Sequence, residues 1–215
     1  MLIDLKPGWL VCDIGANTGA WTAEAAKAGA TVIAAEPLAE HREAVLAAGA
    51  AVVLPVAVSD VEDRILFYVG HDDRFSSSSP SWPNEASKTF GWDRHIDIRK
   101  VDTMRLDTIW QVFGPFDFIK VDCEGGEPAV IRSLGDIKPP RISIEYHGGK
   151  CLLQSLAGVT EEAIRLLGSK YRYRFAAESR YWASNWISMA EAIEMLNDVD
   201  WGDCIAIHRD HWDEI

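Results

Sequence analysis

Basic residues are scarce in this chain. Lys and Arg number 21 against 33 Asp and Glu, a formal net charge of −12. Nucleic-acid backbones draw affinity from Lys and Arg, so this balance argues against a nucleic-acid partner. Solubility is the ordinary consequence of such a charge, although an acidic field also suits a cationic ligand. Cysteine is sparse too. Cys12, Cys123, Cys151 and Cys204 lie far apart, and no pair has the C-x-x-C spacing of a zinc or redox motif. They read as buried free thiols in a reducing cytosol. No apolar run approaches the ~18 residues of a membrane span, and no charged N-terminal region precedes a sustained apolar segment. The expectation is a cytoplasmic protein with no membrane partner. No internal repeat is visible, and 215 residues suit a single α/β domain over 1–215.

A middle glycine is also missing where a dinucleotide site would need one. Leu10-Val11-Cys12-Asp13-Ile14 is a short, mostly apolar run, as expected of a strand covered on both faces. It enters Gly15-Ala16-Asn17-Thr18-Gly19, and an Ala-rich helix follows from about Gly19 to Ala28. The loop is Gly-x-x-x-Gly. It is neither the G-x-G-x-x-G of a dinucleotide fingerprint nor a P-loop, because no Lys-Ser/Thr follows. It is suited to a ligand with little or no phosphate, seated between strand and helix. Thr31–Ala35 forms a second buried strand ending in Glu36-Pro37. An acid about 20 residues beyond the glycine loop, at a strand's carboxyl end, is placed to accept hydrogen bonds from a ribose diol.

A helix over about 38–48 and a third strand over Ala51–Val58, interrupted by Pro55, complete a β-α-β-α-β alternation. That alternation predicts a parallel sheet with right-handed crossovers. Ala57, Ser59 and their neighbours to Asp60 would then flank an adenine. Residues 64–70 and 95–101 read as strands. Between them, 71–94 is rich in Ser and Pro and reads as a mobile loop or substrate flap carrying Phe75, Trp82, Phe90 and Trp92. A helix is expected over 106–112, a central strand over 116–122, a turn over 124–128 and another parallel strand over 141–147. A helix over 160–168, a strand over 171–175, a helix over 188–197 and a strand over 203–208 close the chain.

The chemistry concentrates after the central strand. Asp122, Glu124 and Glu127 fall within six residues, and Lys120 shares the face of Asp122, where it can hold these acids by ion pairing. Glu145 and His147 alternate onto one face of the next strand. His147 is a candidate base for a hydroxyl proton. Asp122, Glu124, Glu145 and His147 could together ligate a divalent ion, but no compact ligand motif is present and no metal is assigned. Tyr181, Trp182 and Trp186 are candidates for lining an acceptor pocket or for packing under the sheet edge.

Taken together, Asp13–Gly19, Glu36-Pro37, Ala57–Asp60, Phe118–Glu127 and Ile144–His147 resemble the FkbM family of S-adenosylmethionine-dependent methyltransferases. The resemblance implies a Rossmann-like class I methyltransferase fold: a mostly parallel seven-stranded sheet with an antiparallel closing pair and helices on both faces. It implies S-adenosylmethionine as cofactor, with Asp13, Gly15, Asn17 and Gly19 at its methionine end. Glu36 would hold the ribose and Asp122 would lie beside the methyl donor. It further implies O-methylation of a small-molecule or saccharide hydroxyl. Asp122 is followed by Cys-Glu-Gly rather than Pro-Pro-aromatic, which also favours oxygen over a base amino group. Two alternatives stand beside this reading: a nucleotide-dependent enzyme of another class, such as an oxidoreductase or sugar-nucleotide enzyme, and an inactive cofactor-binding domain. Exposed aromatics leave room for a homodimer.

Overall fold

A computed structural model describes residues 5–92, 95–152, 156, 158–177 and 183–214. The chain runs β1 (Leu10–Ile14), α1 (Ala20–Lys27), β2 (Thr31–Ala35), α2 (Ala39–Ala47), β3 (Val52–Leu54), β4 (Ala57–Val58) and β5 (Arg64–Val69). It continues through α3 (Ser81–Phe90), β6 (Asp97–Met104), α4 (Leu106–Phe113), β7 (Phe118–Val121), α5 (Glu127–Arg132) and β8 (Arg141–His147). It closes with α6 (Val159–Leu167), β9 (Tyr171–Ala177), α7 (Met189–Met195) and β10 (Trp201–His208).

Seven strands form the main sheet in the order β3-β2-β1-β7-β8-β10-β9. β3, β2, β1, β7 and β8 are parallel neighbours, while β10 is antiparallel to both β8 and β9. This is the mostly parallel sheet with an antiparallel closing pair that the sequence led us to expect. Sequence alternation in the strands feeds two cores. Cys12, Ile14, Ile119 and Val121 pack with Leu106, Val130 and Ile164 of α4, α5 and α6. Val11, Val32 and Phe118 pack on the other face with Ala25 and Trp21 of α1. Both faces are thus covered, which is why these strands read as continuous apolar runs. β1 is the reversal point: successive strands run outward on one side to β2 and β3, and on the other to β7 and β8. The helices that follow β1 and β7 lie on opposite faces there, and a crevice opens at the strands' carboxyl ends.

Two expectations need correction. Ala51–Val58 is not one strand. The chain breaks at Pro55, so β3 ends the main sheet while β4 pairs in parallel with β6 in a separate three-stranded sheet. β5 lies antiparallel to β6 and completes that sheet. The second correction concerns 71–94. The strap begins with a 3₁₀ turn at Asp73–Phe75 and then forms the ten-residue helix α3. Pro80 sits at its N-cap and Pro83 in its first turn, where a missing N–H costs no intrahelical bond. Trp82 and Ala86, one turn apart, are both 1% exposed and anchor the helix.

Candidate functional site

A cavity of about 710 Å³ opens along the carboxyl ends of the parallel strands. That volume lies within the range of small-molecule sites. Its floor begins at the glycine loop. Gly15 adopts φ +77°, and a Cβ there would lie 1.8 Å from the Asp122 carbonyl oxygen. Only glycine lets the β1 and β7 loops approach this closely. The contact is fixed by Asp122 N–H donating to Ile14 O at 3.0 Å and Gly15 N–H donating to Ala35 O at 3.1 Å.

Glu36 holds the loop from the second strand. Its Oε2 accepts from Asn17 N–H at 2.8 Å and its Oε1 from Leu38 N–H at 2.7 Å. The side chain is nearly buried yet lines the cavity. Burial pushes its carboxyl above the ordinary range, and the two N–H donors oppose that shift. Each carboxylate oxygen has a further lone pair, so the clamp leaves acceptor capacity for a ligand hydroxyl. Arg42 secures the same turn by donating to the carbonyls of Glu36 and Pro37. Pro37, Ala57, Val58 and Ser59 continue the wall. Asp60 does not. Arg132 binds its carboxylate at 2.7 Å and holds it below the usual carboxylate range.

Asp13 and Gly19 lie off the cavity wall, in contrast to the expectation that they touch the cofactor. Asp13 is completely buried, with Thr22 Oγ1 donating to its Oδ2 at 2.6 Å and Lys120 Nζ 3.9 Å from its Oδ1. It ties β1 to α1 beneath the loop. Gly19 caps α1 at φ +86° and faces α2, where a Cβ would meet Ala48 at 2.7 Å.

The far end of the cavity is acidic. Lys120 Nζ donates to Asp122 Oδ2 at 2.8 Å. Burial works against the ammonium charge, but Asp122 and Asp13 outweigh it and hold Lys120 above its usual range. It is the ion-pair partner the sequence suggested. Glu127, grouped by sequence with Asp122 and Glu124, is a second loop clamp. Its two oxygens accept from Cys123 N–H at 2.9 Å and Gly125 N–H at 3.0 Å. Burial pushes its carboxyl up to about 7.

Glu124, Glu145 and His147 converge beside Asp122 and line the cavity with it. Glu124 occupies the left-handed region at φ +51°, a strained conformation for a residue with a Cβ. Ser77 Oγ donates to its carbonyl at 2.6 Å, pinning this turn to the strap. Burial, followed by the charge of Asp122, pushes the carboxyls of both Glu124 and Glu145 well above their ordinary range. His147 Nε2 lies 3.8 Å from Glu145 Oε2. Burial drives the imidazole down to about 4, so the ring is neutral at pH 7.

The strap, expected as a mobile loop or substrate flap, covers the cavity. Phe75, Ser76, Ser78, Trp82 and Phe90 of the strap line the cavity, and Trp82 meets the His147 ring edge-on at 5.0 Å. The helix within it was not expected, and the Trp82–Ala86 spacing was the available signal for it. Trp201 and Asp203 of β10 add to the acidic end. Trp186 is absent from the cavity wall and lies under the Arg174 guanidinium at 5.9 Å. Tyr181 and Trp182 lie outside the described residues.

Residues 13–175 match the family described as Methyltransferase FkbM domain. No curated protein matches the chain. Among solved structures, precorrin 8W decarboxylase of Methanobacterium thermoautotrophicum is similar at 13% identity and TM-score 0.44, covering 94% of this chain and 83% of that one. Magnesium protoporphyrin IX methyltransferase from Synechocystis PCC 6803, with bound SAM, is similar at 13% identity and TM-score 0.42, with coverages of 94% and 71%. The C-terminal domain of precorrin-6Y C5,15-methyltransferase from Rhodobacter capsulatus gives 13% identity, TM-score 0.41, and coverages of 95% and 83%. Among the described residues, no helix is long and apolar enough to cross a membrane.

Proposed function

This chain belongs to the FkbM family of S-adenosylmethionine-dependent methyltransferases, and from that premise we propose that it transfers the methyl group to a hydroxyl of a sugar or natural-product-like small molecule. The observation that carries the proposal is continuity. One cavity joins the Glu36 clamp and the Ala57–Ser59 wall to the acidic group Asp122, Glu124, Glu145 and His147.

The residues fit the cofactor. Gly15 leaves no room for a side chain, and Glu36 retains acceptor capacity where a ribose would lie. Asp122, Glu124 and Glu145 face the cavity alongside one ammonium, that of Lys120, and their oxygens make an acceptor-rich surface suited to a sulfonium. Bound there, S-adenosylmethionine supplies an electrophilic methyl on a good leaving group. The chain's own contribution is to position the acceptor and remove its proton. Orientation of this kind can supply several kcal/mol of the barrier, roughly 7–11 in the best intramolecular cases. A positioned base adds about 10²–10⁴-fold.

Carboxylates accept hydrogen bonds from hydroxyls, so the acidic end favours a polyhydroxylated acceptor over an anionic one. For the proton, position favours Asp122 over His147. The Asp122 side chain is 34% exposed into the cavity, whereas the His147 side chain is 6% exposed and packed under Trp82. Lys120 holds one Asp122 oxygen in place and leaves the other to the acceptor. Trp201 and Phe90 at the rim offer apolar faces on which a sugar ring can stack.

The test is methyl transfer from labelled cofactor to a panel of sugars, polyols and hydroxylated natural products. The expected product is a methyl ether, lost in the Asp122→Asn enzyme. Transfer only to amines or thiols, or cofactor binding with no transfer to any hydroxyl, would overturn the proposal; the second result would favour the inactive-domain alternative.

A further inference from the structure

We propose that Glu124, Glu145 and His147 form a site for one divalent cation of the Mn²⁺ or Zn²⁺ type at the acceptor end of the cavity. Each offers one ligand atom, and these atoms all lie within 4.8 Å of one another. Ligands bound at ~2.0–2.2 Å to a common ion stand roughly 3–4 Å apart, so small side-chain rotations complete the geometry. The 3.8 Å between His147 Nε2 and Glu145 Oε2 already falls in that range.

The second observation is unmet bonding capacity. Glu124 Oε2 and Glu145 Oε2 are shielded from solvent and neither meets a donor in hydrogen-bond geometry, although the Trp82 indole acts on the Glu124 carboxyl and opposes its upward shift. The His147 side chain is 6% exposed and lines the cavity, and no hydrogen bond to its ring is found among the described residues. Buried polar groups are ordinarily satisfied, and two unsatisfied carboxylate oxygens beside one imidazole call for a shared partner. Lys120 does not serve, because its ion pairs go to Asp122 and Asp13. An imidazole with two carboxylates is a competent donor set. Including nitrogen shifts the preference from Mg²⁺ and Ca²⁺ toward Mn²⁺ and Zn²⁺. The three residues come from separate places, the turn after β7 and the end of β8, which explains why no compact motif announces them.

The site itself stands on these contacts alone; its consequence for catalysis rests on the function proposed above. A cation beside the acceptor lowers the pKa of the hydroxyl. The O–H bond breaks, the proton passes to Asp122, and the freed oxygen pair forms the bond to the methyl carbon. The carbon–sulfur pair returns to sulfur.

The test is calorimetric titration of chelator-treated full chain with MnCl₂, ZnCl₂ and MgCl₂, with S-adenosylhomocysteine binding measured on the same samples. One Mn²⁺ or Zn²⁺ per chain is expected, with Mg²⁺ weaker. Glu145→Gln and His147→Ala should each weaken ion binding by about tenfold or more, the usual range for loss of a ligand or its support. Their S-adenosylhomocysteine affinity should change by less than about threefold. Bound Mn²⁺ should show nitrogen coupling in its electron spin-echo spectrum, lost in His147→Ala. The inference is overturned if no ion binds at about 1 mM while S-adenosylhomocysteine does, or if both variants bind ions as tightly as the parent. If the ion binds as expected and S-adenosylhomocysteine does not, the site stands and the reading of the fold's chemistry falls.

Discussion

Gly15 and Asp122 meet main chain to main chain, with the place of a Gly15 Cβ only 1.8 Å from the Asp122 carbonyl oxygen. This contact locks the turn after the first strand onto the turn after the central one. It sets the distance between the Glu36 end of the cavity and its acidic end. Gly15→Ala brings both a left-handed φ of +77° and a clash with backbone that no rotamer relieves. The expected loss is about 3 kcal/mol or more in urea unfolding, with S-adenosylhomocysteine binding abolished. A variant with parent-like stability and affinity would show that the two loops move independently.

Glu36 clamps the glycine loop, and the proposed function has it hold the ribose as well. Glu36→Gln keeps the size but cannot accept from both Asn17 and Leu38 with equal facility, since one end of an amide is a donor. A buried N–H left unmatched costs about 1–3 kcal/mol. S-adenosylhomocysteine affinity should fall by tenfold or more, together with a lower melting temperature, measured by calorimetry and thermal unfolding.

Glu127 makes stability depend on pH. Its carboxyl is raised from 4.5 to about 7 in the folded protein. Between those values the folded chain keeps a proton that the unfolded chain has lost. The contribution is therefore full below about pH 4.5 and is lost as pH rises through about 7. The shift corresponds to about 3 kcal/mol across that window. Glu127→Gln should flatten the fall of melting temperature between pH 4.5 and 7.5, at the cost of one loop hydrogen bond. An unchanged slope would assign the proton elsewhere.

Trp82 links the strap to the acidic site. It is 1% exposed, packs against Phe75 at 5.9 Å and meets His147 at 5.0 Å. Trp82→Ala should cost about 3–5 kcal/mol if the strap unfolds with the rest of the chain. If the strap opens separately, amide exchange over 71–92 should speed up with little change in the global midpoint. In either case KM for the acceptor should rise more than KM for the cofactor; the reverse pattern would place the acceptor away from the roof.

The sheet was legible because its strands are covered on both faces. Val11, Val32 and Phe118 serve one core while Cys12, Ile14 and Ile119 serve the other, so each strand appears as an uninterrupted apolar run. The glycine loop and Glu36 were legible for the same local reason: spacing along one chain segment. The small sheet was not, because β4 and β6 pair Ala57 with Thr103 and Val58 with Met104, and pairing at that distance leaves no periodic trace. The strap helix was hidden by Pro80 and Pro83, which read as breakers until their positions at the N-cap and in the first turn are known. Asp13 and Glu127 show the limit of residue type. A carboxylate beside a ligand site and one clamping the loop beneath it look alike in sequence, and only their partners, Thr22 for one and two backbone N–H groups for the other, tell them apart.

The measurement that bears most directly on this account is a crystal structure of the chain grown with S-adenosylhomocysteine. The account predicts the ribose hydroxyls on Glu36, the adenine against Ala57–Ser59 and the sulfur directed toward Asp122. A nucleoside bound elsewhere, or a cavity that excludes it under saturating ligand, would contradict it.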